Sequence, residues 1–182
     1  MPVPSERLTR WISPTWLVSG AALAADGLLL SYDLRLGLGA AVLIAVTDRG
    51  DHPDGPGVLL IHRPSHMRAH PGQAAFPGGK IDPGETPLQC VIRETQEELL
   101  ITPLNPRKVG ELWFSMSDSP HILCHVFRAD DHIGTPTETD EAVPLWTPVE
   151  SIPYNQMWED DRHWLPLLLE ETHFHGRFIF EG

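Results

Sequence analysis

The sequence is poor in cysteine and in positive charge. Its 182 residues include two cysteines, and 13 lysines and arginines against 25 aspartates and glutamates give a formal net charge of −12. A chain this acidic has no surplus of cations with which to bind a nucleic-acid backbone, so we expect no nucleic-acid partner. Cys90 and Cys124 stand in apolar surroundings, which is typical of buried free thiols in a reducing compartment.

Long apolar runs are absent as well. No stretch reaches the roughly 18 consecutive apolar residues that span a bilayer, so no membrane partner is expected. Residues 16–30 have some features of a signal peptide, but Pro14 just before this region and Asp26 within it depart from that pattern. We therefore expect a cytoplasmic protein that acts on a small molecule. Whether it forms a homodimer stays open.

The pattern of apolar residues predicts one domain that mixes strands and helices. Residues 38–182 hold this domain, and residues 1–37 form an N-terminal extension without recognisable chemistry. Neither a dinucleotide-binding fingerprint nor a Walker A loop is present. We predict an α/β (α+β) fold in which a mixed sheet lies between helices. Strands are predicted over 39–47, 57–63, 109–116, 122–129, 144–149 and 174–180, with a late helix over 160–171.

A further helix has a well-marked start. Thr86 is a suitable N-cap, Pro87 suits the first helical position, and Gln89 completes a capping box. Its predicted core face consists of Leu88, Val91, Ile92, Thr95 and Leu99. The opposite side carries three glutamates at i, i+3 and i+4, a spacing at which like charges destabilise a helix by roughly 0.2–0.5 kcal/mol per pair. A positively charged group near these glutamates is needed to offset their mutual repulsion.

These glutamates belong to a longer pattern, GGKIDPGETPLQCVIRETQEELLI, which resembles the Nudix box G-x5-E-x7-R-E-U-x-E-E-x-G-U, where U is a bulky aliphatic residue. Thr95 replaces one aliphatic residue, and Leu100 replaces the final glycine. Every acidic position of the box is kept. The matching residues are Gly79, Glu85, Arg93, Glu94, Glu97, Glu98 and Ile101.

The resemblance implies a Nudix fold and a Mg²⁺ or Mn²⁺ site, since carboxylate oxygens suit these hard cations. The metal ligands that it implies are Glu94, Glu97, Glu98 and the Gly78 carbonyl, and the resemblance of residues 107–182 described below adds Glu138. The implied catalytic residues are Glu97, Glu98, Arg93 and Glu85, with Arg93 orienting the carboxylates through a pair with Glu85. The alternative is an ordinary solvated acidic face on this helix.

The segment before the box resembles the signature of Nudix coenzyme A diphosphatases. Arg63, Arg68, Gly72 and the run 76–79 match that signature, whereas Ile61 and Pro64 depart from it. The two arginines suit contacts with substrate phosphates. Gly79 and Lys80, at the start of the box, are expected to bind substrate too.

Residues 107–182 resemble the oxidised purine nucleoside triphosphate hydrolases. The resemblance implies that Trp158 stacks on the purine and that Asp160 and Asp161 read its edge, with Phe114 as a further aromatic of the pocket. One departure is Ala75, where that family has a base-contacting asparagine. The alternatives are that Trp158 is a core residue and that the two aspartates cap a helix.

Together these observations predict a Nudix diphosphohydrolase. It would cut oxidised purine nucleoside triphosphates, such as 8-oxo-dGTP, to the monophosphate and pyrophosphate. Two alternatives remain: a coenzyme A diphosphatase, and a regulatory Nudix module that binds a nucleotide without catalysis.

Overall fold

Eleven strands, two α-helices and one 3-10 helix form the part of the chain that the computed structural model describes, residues 9–14, 38–47, 56–64, 72–116 and 121–180. The strands are β1 (Thr9–Pro14), β2 (Leu38–Thr47), β3 (Gly57–His62), β4 (Ala74–Ala75), β5 (Gly78–Lys80), β6 (Thr102–Leu104), β7 (Arg107–Met116), β8 (Ile122–Ala129), β9 (Asp131–Ile133), β10 (Val143–Pro148) and β11 (Phe174–Phe180). The helices are α1 (Pro87–Leu99) and α2 (Asp161–Leu169), and the 3-10 helix is Val149–Ser151. Neither α-helix of these ranges is long and apolar enough to cross a membrane.

Nine of the strands belong to one mixed sheet. Its order is β1-β11-β7-β8-β2-β3-β10, with β4 paired to β3 and β5 paired to β2. The pairs β11–β7 and β2–β8 are parallel, and the other pairs are antiparallel. Strands β6 and β9 form a separate antiparallel pair. Strand β1, which lies within the presumed N-terminal extension, therefore belongs to the same sheet as the domain.

A hydrophobic core lies on each face of the sheet. Strand β3 contributes to both, because Val58 and Leu60 point to one core while Leu59 and Ile61 point to the other. Helix α2 packs into the first core with Trp164, Leu165 and Leu168. Helix α1 packs into the second with Cys90, Val91 and Leu99. The predicted arrangement, a mixed sheet between helices, is confirmed.

Helix α1 begins as its capping signals predict. The Gln89 amide donates to the Thr86 hydroxyl at 3.3 Å, and the Thr86 amide donates to the Gln89 side chain at 2.9 Å. The prediction that Leu88 belongs to the core face is wrong, since this residue is 41% exposed. The buried residues of α1 begin at Cys90 and Val91, so the first helical turn extends beyond the part of α1 that packs into the core.

The two departures from the box have local explanations. The Thr95 hydroxyl is fully buried but donates to the Val91 carbonyl at 2.5 Å, so a polar side chain is tolerated in the core. Leu100 caps the helix with φ 59°, in the left-handed region that the usual glycine would adopt with less strain. Its amide donates to the Gln96 carbonyl at 3.1 Å.

Candidate active site

Arg93 lies among the carboxylates of α1 and is the compensating positive group. Its guanidinium forms a two-pronged ion pair with Glu85, with Nε–Oε1 at 2.9 Å and Nη2–Oε2 at 3.0 Å. Nη1 also donates to Glu94 at 2.8 Å and to Glu97 at 3.0 Å. The hydrogen bonds from Arg93 lower the pKa of Glu85, and those same bonds raise the pKa of Arg93 itself. The expected pairing of Arg93 with Glu85 is present.

Glu98 differs from its neighbours because it is buried. Only 5% of the residue is exposed, and its carboxylate accepts a hydrogen bond from the Gly78 amide at 2.9 Å. Burial raises the pKa of Glu98 to about 7; the Gly78 hydrogen bond opposes this shift, whereas the charges of Glu94 and Glu141 add to it. Burial also raises the pKa of Glu94, against the effect of its bond to Arg93.

A further carboxylate near this group is Glu141, which no motif in the sequence indicated. Although it is exposed, its charge adds to the causes that raise the pKa of Glu94 and of Glu98. Glu138, the residue that the family resemblance implied, is exposed three positions earlier. Between them, the Thr139 hydroxyl donates to the Glu98 carbonyl at 2.9 Å and ties this loop to the end of α1. Since both residues are exposed, Glu141 is a second candidate beside Glu138 for the acidic residue next to the box.

Gly79 lies directly against the carboxylate of Glu94, so a side chain at this position would displace that carboxylate. A Cβ atom at this position would lie 2.4 Å from the Glu94 carboxylate, which is closer than such contacts can be. The Glu94 side chain therefore rests directly on the backbone of strand β5. The first glycine of the box and its first helical glutamate are packed against each other.

The donor set suits Mg²⁺ or Mn²⁺, because it consists of carboxylate oxygens that repel one another and are brought together by the fold. The described part of the chain contains no group of three histidine, cysteine, aspartate or glutamate side chains already placed to hold a metal ion. Arg93 instead holds Glu94 and Glu97, and Glu97 is mostly exposed, with 58% of its side chain accessible. Arg93 bonds one oxygen of each of these two carboxylates, so the second oxygen of each remains for a cation.

A second acidic site lies in an apolar cavity of about 240 Å³ between the sheet and the start of α2. Strands β2, β7, β8 and β11 form its floor, and α2 with the turn before it forms the facing wall. Its lining residues are Ala40, Ala75, Phe76, Leu112, Phe114, Ile122, Cys124, Trp158, Asp160, Asp161, Trp164 and Phe180.

Aromatic rings give the cavity flat walls. The Phe114 ring stacks on Phe178 at 5.6 Å between centroids, and the Trp158 ring meets Phe180 edge-on at 6.5 Å. Trp164 is 2% exposed and stacks on Phe174 at 5.7 Å, so it is a core residue that also borders the cavity. Trp158 is only half-buried, and a core role does not account for it.

The aspartate pair is buried beside these rings. Asp160 and Asp161 are 3% and 6% exposed. Asp160 accepts the Trp164 indole N–H at 3.1 Å, and Asp161 accepts the Trp158 amide at 3.1 Å. Burial raises the pKa of Asp160 to about 6, and burial together with the Asp160 charge raises the pKa of Asp161 well above its usual range. Asp160 occupies the N-cap position of α2, but its side chain makes no capping bond.

The segment 72–80 connects the two acidic sites. Phe76 lines the cavity, and two residues later Gly78 binds Glu98. Lys80 is exposed and pairs with Ala40 on the cavity floor, and its carbonyl accepts from Arg93 at 3.2 Å. The cavity and the acidic face of α1 are therefore neighbours.

Arg63 lies at the end of β3, where its positive charge opposes the raised pKa of Glu98. Its buried Nε has no hydrogen-bond partner among the described residues, which leaves this group free for an anion. Arg68, the second arginine expected to contact phosphates, lies outside the described residues. A role for the Gly78 carbonyl in metal binding stays a prediction.

The fold and the two sites define a hydrolase with an acidic helix beside a flat apolar cavity. The chain belongs to the Nudix family, because the NUDIX domain matches residues 37–168. This identification confirms the family and the enzyme class that the box predicted.

Named relatives agree with this classification. The chain is 41% identical over 106 residues to the oxidized purine nucleoside triphosphate hydrolase of Danio rerio, covering 58% of this chain and 68% of that protein. It is 49% identical over 74 residues to the uncharacterized Nudix hydrolase NudL of an Enterobacter strain, covering 40% of this chain and 36% of that protein. Among solved structures, a mutator MutT protein from Bacillus halodurans superposes with a TM-score of 0.66 at 25% identity, covering 79% of this chain and 90% of that protein.

Proposed function

We propose that this protein is a metal-dependent diphosphohydrolase of purine nucleoside triphosphates, with oxidised purines such as 8-oxo-dGTP as its main substrates. The products would be the nucleoside monophosphate and pyrophosphate. The observation that carries the proposal is the buried Asp160–Asp161 pair in a flat aromatic cavity next to the acidic face of α1. The name of the Danio rerio relative supports the same substrate class.

The cavity suits a purine base for chemical reasons. Trp158 and Phe114 offer aromatic surfaces for stacking, which contributes about 1–3 kcal/mol per base in nucleic-acid binding. The aspartate pair is too buried to lose both protons readily at neutral pH. One carboxyl then donates a hydrogen bond while the other accepts one. A purine edge with adjacent donor and acceptor groups satisfies both.

The triphosphate would extend from the cavity toward α1. Glu94, Glu98 and Glu141 are the residues that we propose to hold Mg²⁺ or Mn²⁺, with Glu97 at the exposed end of the set. Bound divalent cations neutralise phosphate charge and make water a better nucleophile. Arg63 would bind a phosphate oxygen through the Nε that has no partner in the described structure. Arg93 would keep Glu94 and Glu97 in place through its ion pair with Glu85.

Hydrolysis of a substrate panel with identified products tests this proposal. The purified protein with Mg²⁺ would be given 8-oxo-dGTP, dGTP, a pyrimidine triphosphate, coenzyme A and a nucleoside diphosphate sugar. We expect the highest kcat/KM for 8-oxo-dGTP, with release of pyrophosphate rather than phosphate. Preferential cleavage of coenzyme A would assign the enzyme to the other predicted class. Binding of the nucleotides without hydrolysis of any compound would identify a regulatory module.

A further inference from the structure

Arg128 is a buried arginine on the face of the sheet against which α2 packs. It shares one side of β8 with Cys124 and Val126, because alternate residues of a strand point the same way. Cys124 lines the cavity, and Val126 belongs to the core that α2 packs into. At a rise of about 3.3 Å per residue, Arg128 lies about 13 Å along β8 from the cavity floor.

The Arg128 guanidinium contacts the C-terminal end of α2. Its Nη1 donates to the Leu168 carbonyl at 3.3 Å, and its Nη2 pairs with the Glu171 carboxylate at 3.1 Å. Its Nε donates at 2.9 Å to Asp130, which directly follows β8. Three nitrogens of one side chain thus tie the end of α2 to the sheet.

Helix α2 has little of its own to fix this end. Pro166 lacks the amide hydrogen that would bond one turn back, and the last turn has no basic residue to face the negative end of the helix dipole. Glu171 follows the helix with φ 57°, a left-handed conformation that glycine adopts with less strain. Arg128 supplies the missing positive charge from β8.

This network fixes a direction more than it adds stability. Burying charged groups costs about as much as their pairing contributes, whereas a guanidinium binds its acceptors at defined angles. Trp164 lies one turn before Leu168 on the same face of α2, and its ring lines the cavity. The position of Leu168 against β8 therefore sets how far the Trp164 ring stands from the cavity floor.

We propose that Arg128 is a positioning residue, which anchors the C-terminal end of α2 and thereby holds the Trp164 wall of the cavity in place. This inference rests on the proposed function and deepens it. Arg128 acts from the end of α2 remote from the cavity and does not touch the substrate. Loss of the anchor weakens binding of the nucleoside part of the substrate and leaves the acidic face of α1 unchanged.

Two variants remove the anchor from its two sides. Arg128→Met removes the guanidinium at similar length. Glu171→Lys turns attraction into repulsion at a side chain that is 67% exposed, so the test does not depend on a buried substitution. Arg107→Gln is the matched control, since Arg107 lies opposite Arg128 on β7 and bonds the same Asp130, but the described structure gives it no hydrogen bond to α2.

A double variant separates position from stability. Arg128→Met/Glu171→Gly places glycine at the left-handed position, so it should regain melting temperature without restoring the anchor. The measurements are kcat and KM for 8-oxo-dGTP, the melting temperature, and the inhibition constant of inorganic pyrophosphate. Pyrophosphate probes the α1 site without a base.

We expect Arg128→Met and Glu171→Lys to raise KM by about fivefold or more with kcat within about threefold of the wild type, because a small displacement of a binding wall has effects of this order. The inhibition constant of pyrophosphate should stay within about twofold, since the α1 site is distant and shares no partner with Arg128. The double variant should keep the raised KM, and Arg107→Gln should have the KM of the wild type.

Three results would overturn the inference. One is a wild-type KM in every folded variant that lacks the anchor. Another is an equal rise of KM in Arg107→Gln, which would assign the effect to the charge cluster as a whole. The third is a KM that recovers together with the melting temperature in the double variant, which would show that Arg128 acts on stability alone. A wild type that hydrolyses no purine nucleoside triphosphate would instead refute the proposed function, and the inference with it.

Discussion

The molecule has two neighbouring groups of carboxylates, one on α1 and one in the apolar cavity. The surroundings of these two groups differ. On α1, the Arg93 guanidinium bonds Glu85, Glu94 and Glu97, and part of the acidic face is open to solvent. In the cavity, Asp160 and Asp161 are almost fully buried among aromatic rings. Their fixed partners in the described structure are N–H groups of neutral residues.

This difference decides what each carboxylate can do. A guanidinium favours the charged form of the carboxylates bonded to it, so the glutamates around Arg93 are suited to bind cations, although burial raises the pKa of Glu94. Burial without a cation disfavours the charged form, so the aspartate pair retains a proton and can donate as well as accept. Glu98 combines both situations, because it is buried yet lies on the α1 face.

The largest effect should come from the α1 face. We expect Glu98→Gln and Glu94→Gln each to lower kcat by at least about 100-fold, because each variant loses an oxygen ligand and a charge at the reaction centre. The measurement is turnover of 8-oxo-dGTP at limiting Mg²⁺. Glu150→Gln, an exposed carboxylate on the 3-10 helix, is the control and should retain full activity. Near-normal turnover in both α1 variants would show that the acidic face of α1 is ordinary protein surface.

The aspartate pair should affect binding rather than turnover. We expect Asp160→Ala and Asp161→Ala each to raise KM for 8-oxo-dGTP by about 10-fold to 100-fold, since each removes a hydrogen bond to the base in an apolar site. Trp158→Ala should act in the same direction through lost stacking. Any cleavage of coenzyme A should change little in all three. Parallel losses for both substrates would show that the cavity does not select the base.

Sequence alone predicted the elements that local signals define. The capping box placed the start of α1, and the fixed spacing of the Nudix box placed the glutamates of its acidic face, because both depend on residues a few positions apart. Strands β2, β3, β7, β8, β10 and β11 were also predicted, since their apolar runs are long.

Features that depend on distant contacts were not predicted. Strands β4, β5, β6 and β9 have two or three residues each, too few for a periodic pattern, and they exist because a neighbouring strand pairs with them. The loop that carries Thr139 and Glu141 is tied to the end of α1 by a hydrogen bond between residues 41 positions apart. The small residues Ala40 and Cys124 meet only through the parallel pairing of β2 with β8.

A smaller effect should separate Glu141 from Glu138. We expect Glu141→Gln to lower kcat/KM by about tenfold at limiting Mg²⁺, because its charge adds to the causes that raise the pKa of Glu94 and of Glu98. Glu138→Gln should stay within about twofold of the wild type, since Glu138 is not among the main causes of the raised pKa of Glu94 or Glu98. A larger loss of kcat/KM in Glu138→Gln than in Glu141→Gln would support the assignment that the family resemblance implied and remove Glu141 from the acidic group.

The smallest effect concerns the stability of the aspartate pair. Burial raises the pKa of Asp160 to about 6, above the value near 3.9 that is usual for an unfolded chain. Between these values the folded protein binds more protons than the unfolded chain, so this group lowers stability as the pH rises.

The substitution Asp160→Asn removes the titrating carboxyl group but keeps a side-chain oxygen that can accept from the Trp164 indole. Its melting temperature relative to the wild type should therefore increase by a few degrees between pH 4 and pH 7. Glu97→Gln, which removes an exposed carboxylate, is the control and should show a smaller change over the same range. Thermal unfolding of the three proteins across this range is the measurement. If the Asp160→Asn difference stays constant with pH, Asp160 is ionised like a surface group, and the contrast between the two acidic sites does not hold.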